Sequence, residues 1–452
     1  MATLVERFRA HVRRAGLFRS PGTAIVAVSG GPDSAALLDL LHQAALPGVG
    51  LVVAHADHGI QPASAAVAAS VERLAARYGL PFELGRLALG PGTSETVARR
   101  ARYAWLRDVQ ARRDARYLVT AHHRDDQVET VLLRVLRGSG LAGLAGIPAR
   151  GRGGLVRPLL VFTRGELAAH VAARALPVHD DPANRDPRNL RSWVRTVVLP
   201  ALDERLGARA RADLERLGRH AARDRRAWDA MLELVPDLRF RLEPPGVSVA
   251  RGALAHYDDA AAAALVAAAA RRVGLVLGPP RALLVARLAR RPSGRRLALG
   301  RDWSAAVAFD RLRVSRGVAA AAEPVVATGE RGRATFGAHV VSWRPEEAPP
   351  AVARGGWVTW LAGPGWEVRA PRRGDRLVPL GGVGHRPVRR LLMEARVPQA
   401  DRATYPVLAR GATVLWVPGI SRGAAEVPPP GTPAVRVHVT SERAGAAADR
   451  RA

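Results

Sequence analysis

The sequence predicts an α/β protein: an N-terminal doubly wound parallel sheet, then a mostly helical middle domain, then a small α+β C-terminal domain. Strand-like apolar runs alternate with helical patterns throughout the first half of the chain. After about residue 200 the chain becomes rich in arginine and alanine, and short runs broken by glycine and proline begin at residue 357. A length of 452 residues fits about three domains, which we place at 1–215, 216–340 and 357–440.

Five apolar runs in the first half have the length and composition of buried strands, and helical patterns lie between them. The strands are predicted at Ala24–Ser29, Gly50–Ala56, Pro81–Leu89, Tyr117–Ala121 and Leu155–Phe162. The helices are predicted within Met1–Ser20, at Ala35–Ala45, Ser64–Tyr78, Ser94–Arg113 and Asp125–Arg137, and after the capping-box pair Thr163 and Glu166. Strands separated by helices of this length favour crossover connections, and hence a parallel sheet covered on both faces.

The second half has weaker patterns. Arginine- and alanine-rich helical segments are predicted from about residue 200 to 320, with Ala260–Arg272 as the clearest of them. The stretch Ala322–Gly356 is predicted to be irregular, because it contains Arg344-Pro-Glu-Glu-Ala-Pro-Pro350. Short strands and helices are expected again over Trp357–Thr440.

Composition excludes several classes of function. The chain has no cysteine, so disulfides, thiolate zinc sites, iron–sulfur clusters and cysteine nucleophiles are ruled out. Its 69 basic residues, all arginine, exceed 40 acidic ones and give a net charge of +29. Such a surplus indicates a polyanionic partner, with nucleic acid as the default. No apolar stretch is long enough for a membrane span, so we expect a cytoplasmic protein without a membrane partner.

The sharpest motif follows the first predicted strand and opens the first helix of the sheet domain. Two glycines let the backbone approach an anion closely, and the helix N-terminus directs N–H groups at it. The carboxylate of Asp33 is suited to magnesium. A glycine-rich turn without a ligand is the alternative. We assign nucleotide binding to Ser29, Gly30, Gly31, Pro32, Asp33 and Ser34.

Two more polar clusters follow later strands, where a parallel sheet of this kind binds its ligands. His55-Ala-Asp-His-Gly59 follows the second strand, and we add His55 and Asp57 to the nucleotide-binding set. Thr120–Thr130 follows the fourth strand. There Asp126 and Glu129 share a helix face and suit magnesium or an ammonium group.

Three further features have a structural alternative. The histidines His122 and His123 are suited to stabilising negative charge or moving protons, while zinc is excluded because the required spacing is missing. The stripe Glu95, Arg99 and Arg102 suits phosphate or RNA, or is a solvated helix face. Arg369–Arg402 holds nine arginines against three acids and follows Trp357, Trp360 and Trp366, which stack on bases or belong to the core.

With these residues assembled, the sequence resembles the tRNA(Ile)-lysidine synthetases of the PP-loop ATP pyrophosphatase superfamily. Ser29–Ser34 matches the superfamily's Ser-Gly-Gly-x-Asp-Ser loop. The chain departs from the family pattern at Ile60-Gln61 and Ser192, and its middle region, about 216–340, matches poorly. Matches to the family itself lie at His55–Gly59, Glu95–Tyr103, Thr120–Thr130, Leu136–Ile147, Arg157–Leu160, Asp180–Asn184, Pro371–Arg376, Val388–Glu394 and Val397–Leu408.

The resemblance implies a PP-loop catalytic domain at 1–215 and tRNA contacts from 216–340 and 357–440. It implies an ATP- and Mg²⁺-dependent ligase that adenylates carbon 2 of the wobble cytidine in the CAU anticodon of tRNA(Ile). An amine of free L-lysine then displaces AMP, which forms a C–N bond and leaves lysidine. It further implies Asp33 and Asp126 as magnesium ligands, Asp126 and Glu129 as candidates for the lysine ammonium or magnesium, and Arg102 and His122 at the cytidine and phosphates.

Rival functions fit less well. A sulfur-adding tRNA enzyme of the same superfamily generally needs cysteines or an iron–sulfur cluster, and GMP synthetase has no use for a charge of +29. A non-enzymatic RNA-binding protein with a decayed nucleotide fold is the rival from another class, but Asp33, Asp126 and Glu129 are intact. The sequence leaves the oligomeric state open, with a homodimer as one option.

Overall fold

The computed structural model describes residues 2–59, 64–90, 92–179, 189–207, 209–243, 245–317 and 322–441. The chain divides into two compact units, Met1–Ala227 and Trp228–Ala452. Within the described ranges, no helix is long and apolar enough to cross a membrane. The division into three domains predicted from the sequence remains a prediction.

The first unit alternates strands and helices as the sequence predicts. Its strands are β1 (Gly22–Ala27), β2 (Val49–Asp57), β3 (Phe82–Arg86), β4 (Tyr117–Val119) and β5 (Leu155–Val156). Its helices are α1 (Leu4–Arg14), α2 (Pro32–Ala44), α3 (Ser64–Arg77), α4 (Glu95–Arg112), α5 (Arg124–Leu136), α6 (Leu141–Leu144), α7 (Arg164–Ala173), α8 (Leu190–Trp193) and α9 (Leu199–Leu206). A π-helical segment, Val194–Val198, joins α8 to α9, and α10 (Arg209–Leu234) begins in this unit.

The five strands form one parallel sheet in the order β3-β2-β1-β4-β5. Successive residues of β1 serve opposite faces: Val26 packs in the core with α1, α2, α3 and α7, whereas Ile25 packs in the core with α4. The doubly wound prediction is therefore confirmed. Strand order reverses between β1 and β4, and the carboxyl ends of these two strands are where such a sheet binds ligands.

The fifth predicted strand is much shorter than expected. The prediction covered Leu155–Phe162, but β5 ends at Val156. Pro158 has no N–H to offer a ladder, and the N–H of Phe162 donates to the carbonyl of Leu159 in a turn (2.9 Å). Leu159 and Phe162 are nevertheless buried, because the turn packs them into the same core as Val156, whereas Val161 is exposed.

The second unit begins with the expected helices and adds a sheet that the sequence did not reveal. The helices are α11 (Arg251–Ala255), α12 (Asp259–Arg272) and α13 (Pro279–Leu288). The strands are β6 (Arg241–Glu243), β7 (Gly246–Ala250), β8 (Arg296–Gly300), β9 (Trp303–Ala308) and β10 (Arg311–Arg316). They form an antiparallel sheet in the order β6-β7-β10-β9-β8. In β10, Leu312 and Val314 enter the core while Arg311 and Arg313 alternate with them. Arg316 ends the strand, so its sequence resembles an exposed basic segment.

The rest of the unit contains two sheets, a short strand pair and two helices. The first sheet has the order β11-β15-β18-β19-β20 and the second has the order β12-β13-β21-β14. The strands are β11 (Val325–Ala327), β12 (Gly332–Phe336), β13 (His339–Glu347), β14 (Val358–Leu361), β15 (Trp366–Arg369), β16 (Arg376–Leu377), β17 (Arg386–Pro387), β18 (Val407–Arg410), β19 (Thr413–Val417), β20 (Ser421–Arg422) and β21 (Pro433–Ser441). The helices are α14 (Val388–Glu394) and α15 (Gln399–Arg402).

The expectation that Ala322–Gly356 is irregular was wrong. Strands β11, β12 and β13 lie within it, and all nine residues of β13 pair with β21. Val341 and Trp343 of β13 are buried on one face. The Arg-Pro-Glu-Glu run obscured this strand, because its polar side chains and its proline are unfavourable for a strand in isolation.

Candidate active site

The predicted site residues that follow β1 and β4 come together at the carboxyl edge of the parallel sheet. Asp33 lies in the first turn of α2, and His123 immediately precedes α5. The Nε2 atom of His123 lies 3.4 Å from Oδ2 of Asp33 and 3.6 Å from Oδ2 of Asp126. The structure thus places one carboxylate from the β1 loop and one from the β4 loop around a single imidazole.

The loop after β1 is shaped by its own backbone and serines. Gly30 has a φ of +88°, while Gly31 precedes α2 with an ordinary φ of −78° and Pro32 occupies its first turn. The Ser34 hydroxyl donates to the carbonyl of Gly31 (2.8 Å) and accepts from the N–H of Ser29 (3.1 Å). This closed turn leaves the start of α2 as an anion-binding terminus.

Replacing Gly30 by alanine should impair nucleotide binding, whereas the same change at Gly31 should be mild. A Cβ at Gly30 would lie 2.5 Å from Cγ1 of Val67 and would occupy a left-handed backbone conformation, which costs about 1–2 kcal/mol in strain alone. At Gly31 the nearest atom is the Ser29 hydroxyl at 3.7 Å. We expect Gly30→Ala to raise KM for ATP roughly tenfold, as measured by AMP release. Equal KM values for the two variants would contradict this account of the loop.

Residues at the carboxyl end of β2 hold the backbone that leads into this loop. His55 is buried, and its Nδ1–H donates to the carbonyl of Val28, the residue just before Ser29 (2.8 Å). Asp57 accepts from the N–H of Gly59 (2.8 Å). His55 therefore fixes the backbone that leads into the nucleotide loop, and Asp57 shapes the turn after β2.

Two adjacent histidines at the end of β4 have opposite charge preferences. Burial lowers the pKa of His122 to about 3, against the attraction of Asp126 and with help from Arg157. His122 Nδ1 lies 3.0 Å from the Thr120 hydroxyl. Burial also disfavours charge on His123, but Asp125, Asp33 and Asp126 outweigh it and raise the pKa of His123 to about 10. The site thus presents a neutral ring beside an imidazolium at neutral pH.

Neither ring is expected to titrate across the physiological range. Because the pKa of His123 is raised from 6.5, its stabilising contribution is complete below pH 6.5 and is lost as pH rises toward 10. The pKa of His122 is lowered, so the folded protein loses stability as pH falls from 6.5 toward 3, because the unfolded chain takes up a proton there that the buried ring does not. NMR of labelled histidines, assigned with His122→Gln and His123→Gln, should show both resonances flat between about pH 5.5 and 8.5. A midpoint near 6.5 for either ring would contradict the geometry.

The two carboxylates of α5 are held by a pair of arginines that the sequence analysis did not assign. Glu129, which is 1% exposed, accepts from Nε of Arg191 (2.8 Å) and from Nε of Arg195 (2.5 Å). Asp126 accepts from Nη2 of Arg191 (2.8 Å). Burial opposes ionisation of Asp126, but His123 and Arg191 lower its pKa. The arginines are four apart, which could have marked them as sharing a helix face.

Other predicted residues lie around this centre or outside the described part. Arg102 projects from α4 with its guanidinium 5.9 Å from the Tyr103 ring. After burial, Arg102 is the largest influence that lowers the pKa of His58, which places it beside the β2 cluster. The predicted family match at Asp180–Asn184, the departure from the family pattern at Ile60-Gln61 and the side chain of Glu95 lie outside the described residues.

The basic C-terminal segment divides into structural and exposed arginines. Arg369 is 2% exposed and pairs with Asp375 (2.7 Å) and Glu367 (2.9 Å). Trp366 is a core residue, whereas Trp357 is 41% exposed. Most arginines of α14 and the preceding loop are exposed, so this segment keeps a basic surface.

Comparison with known proteins identifies the family. A model described as the PP-loop domain matches residues 4–202, and one described as the TilS substrate C-terminal domain matches residues 366–439. The tRNA(Ile)-lysidine synthase of Symbiobacterium thermophilum is 36% identical over 99% of this chain and 100% of its own length. That of Geobacter sulfurreducens is 31% identical over 93% of each chain, and that of Methylococcus capsulatus is 34% identical over 90% of this chain and 93% of its own. This chain therefore belongs to the tRNA(Ile)-lysidine synthase family.

Proposed function

We propose that the chain ligates L-lysine to carbon 2 of the wobble cytidine of a CAU-anticodon tRNA(Ile), with ATP consumed to AMP and pyrophosphate. The observation that best supports this proposal is that Asp33, His123 and Asp126 lie close together beside the nucleotide loop. Family membership supplies the reaction, and the site supplies groups of the right chemistry for it. The product is a cytidine modified by a new C–N bond.

In the first step the cytidine oxygen on carbon 2 bonds to the α-phosphorus of ATP, and pyrophosphate leaves. The turn at Gly30 and the N-terminus of α2 would bind the phosphates with backbone N–H groups. The imidazolium of His123 and the guanidinium of Arg191 add fixed positive charge where negative charge accumulates. Arg102 and His122 would contact the cytidine and phosphates from the other side.

In the second step the lysine ammonium loses a proton to solvent, its neutral amine attacks carbon 2, and AMP departs with the electron pair of the carbon–oxygen bond. Asp126, 9% exposed and kept ionised, is our candidate for orienting the lysine ammonium or for binding magnesium. In the structure both carboxylate oxygens of Glu129 accept hydrogen bonds, one from Arg191 and one from Arg195. We therefore propose that Glu129 contributes to the site through these arginines.

The carboxylates fit Mg²⁺. Asp33 and Asp126 each bring one carboxylate oxygen to within 3.6 Å of His123 Nε2, so the two oxygens lie close to the same ring nitrogen. No group of three or more candidate ligands that could hold a metal occurs among the described residues, which suits an ion that binds one or two carboxylates and takes its other ligands from phosphate and water. Bound there, the ion would neutralise charge on the departing pyrophosphate.

The test is incorporation of radiolabelled L-lysine into an unmodified CAU-anticodon tRNA(Ile) transcript, with ATP and Mg²⁺. The matched control is a transcript whose wobble cytidine is changed to uridine. We expect lysine to enter only the transcript with the wobble cytidine, with AMP formed in equal amount. We propose that this reaction takes place in the cytoplasm. AMP without lysine transfer would require another nucleophile, and tight tRNA binding without AMP would favour a binding protein.

A further inference from the structure

We propose that an exposed row of arginines on α10 binds backbone phosphates of the tRNA arm that carries the wobble nucleotide. The inference rests on the proposed function and specifies where the substrate lies. The α10 row consists of Arg216, Arg219, Arg223 and Arg226.

The spacing of the row places its members on one helix face. Steps of three, four and three residues return to the same side of a helix, and the row spans about 15 Å along the axis. All four side chains are exposed. The opposite side is the packed one: a Cβ at Gly218 would lie 2.8 Å from Cγ2 of Val131 on α5, and Ala221 is 1% exposed.

The helix that carries the row is attached to the catalytic centre at its first turns. Arg211 lies 3.6 Å from Asp125, the neighbour of Asp126. Glu215 accepts from Arg124, the first residue of α5 (2.6 Å), and with its other oxygen from Arg219 of the row (2.6 Å). Glu215 therefore connects the row to α5, the helix that bears Asp126 and Glu129. The later arginines of the row lie progressively farther from these carboxylates.

The charges of the row are only partly balanced. Arg216 pairs with Asp213 (2.9 Å) and Arg219 with Glu215. For Arg223 and Arg226, no carboxylate lies within ion-pair distance in the described ranges. Like charges three and four residues apart on a helix repel one another, so a chain of phosphates would relieve this repulsion. A wobble base held at Asp126 would bring such phosphates to the start of the row.

The test compares Arg223→Glu/Arg226→Glu with Arg73→Glu/Arg77→Glu. Arg73 and Arg77 are also exposed, but they lie late in α3, which runs from the carboxyl edge of the sheet back to the opposite edge. Both variants reverse the same charge. We expect the row variant to raise KM and Kd for tRNA about tenfold at ~0.1 M salt, and to flatten the salt dependence of binding by about two units of log–log slope.

The control variant should stay within about twofold of the parent protein, as should KM for ATP and kcat in both variants. Parent-like Kd and salt slope in the row variant would overturn the inference, and so would an equal loss in the control. If the charge reversal unfolds the chain, Arg223→Gln/Arg226→Gln must still flatten the slope by about two units. Absence of lysine incorporation by the parent protein would instead refute the proposed function, since Kd is measured without catalysis.

Discussion

Asp33→Ala is expected to lower the rate of lysine incorporation about 10³-fold or more while leaving the affinity for tRNA within about twofold. The carboxylate stands in the first turn of α2 at the nucleotide loop, 3.4 Å from the imidazolium of His123. Its removal would delete the carboxylate that we propose as a magnesium ligand, where pyrophosphate would depart. It also removes one of the carboxylates that stabilise the imidazolium of His123.

The measurement is AMP formation and lysine transfer under single-turnover conditions, with filter binding of the transcript as the second readout. Asp108→Ala removes an exposed carboxylate on α4 that pairs with Arg112, and it should leave both readouts unchanged. Loss of tRNA binding by a folded Asp33→Ala protein would count against the assigned role, because it would place this carboxylate in the tRNA contact.

Glu129→Leu is expected to have the largest effect on stability, lowering the free energy of unfolding by about 3–5 kcal/mol. Glu129 is 1% exposed and takes hydrogen bonds from both Arg191 and Arg195. Without it two half-buried guanidinium groups lose a shared partner, and Asp126 alone cannot satisfy both. Lysine incorporation should fall together with stability, since the same arginines line the site.

The matched control is Glu233→Leu. Glu233 meets Arg272 at 2.5 Å, as close as Glu129 meets Arg195, but its side chain is 67% exposed. Solvent screens such a pair, so denaturant unfolding should show a change within about 0.5 kcal/mol. Similar losses for the two variants would mean that burial does not determine the strength of these ion pairs.

The sequence predicted the strand–turn–helix that carries Ser29–Ser34 well because the signal is local. An apolar strand, two glycines and a helix start occupy consecutive positions around Gly30, so no distant contact is needed to recognise them. The parallel sheet follows from the same kind of local alternation. Strand β10 was missed for the opposite reason, since its arginines face away from a core that only the folded chain defines.

The chemistry of the site depends on contacts that no spacing reveals. His122 and His123 are identical neighbours, yet one pKa is lowered and the other raised by what surrounds each ring. The pairing of Glu129 with Arg191 and Arg195 joins residues more than sixty positions apart. Arg369, counted among the basic surface residues of the C-terminal segment, is buried because Asp375 and Glu367 neutralise it.

If the α10 row binds phosphate as proposed, the shared carboxylate Glu215 would couple RNA binding to the start of α5, and so to the nucleotide site. It divides its oxygens between Arg124 at the start of α5 and Arg219 in the α10 row. Were a phosphate to take Arg219, Glu215 would retain Arg124, the residue that follows His123, as its ion-pair partner. Binding free energies are reciprocal, so an enzyme loaded with nucleotide should in turn hold its RNA more firmly than the empty one.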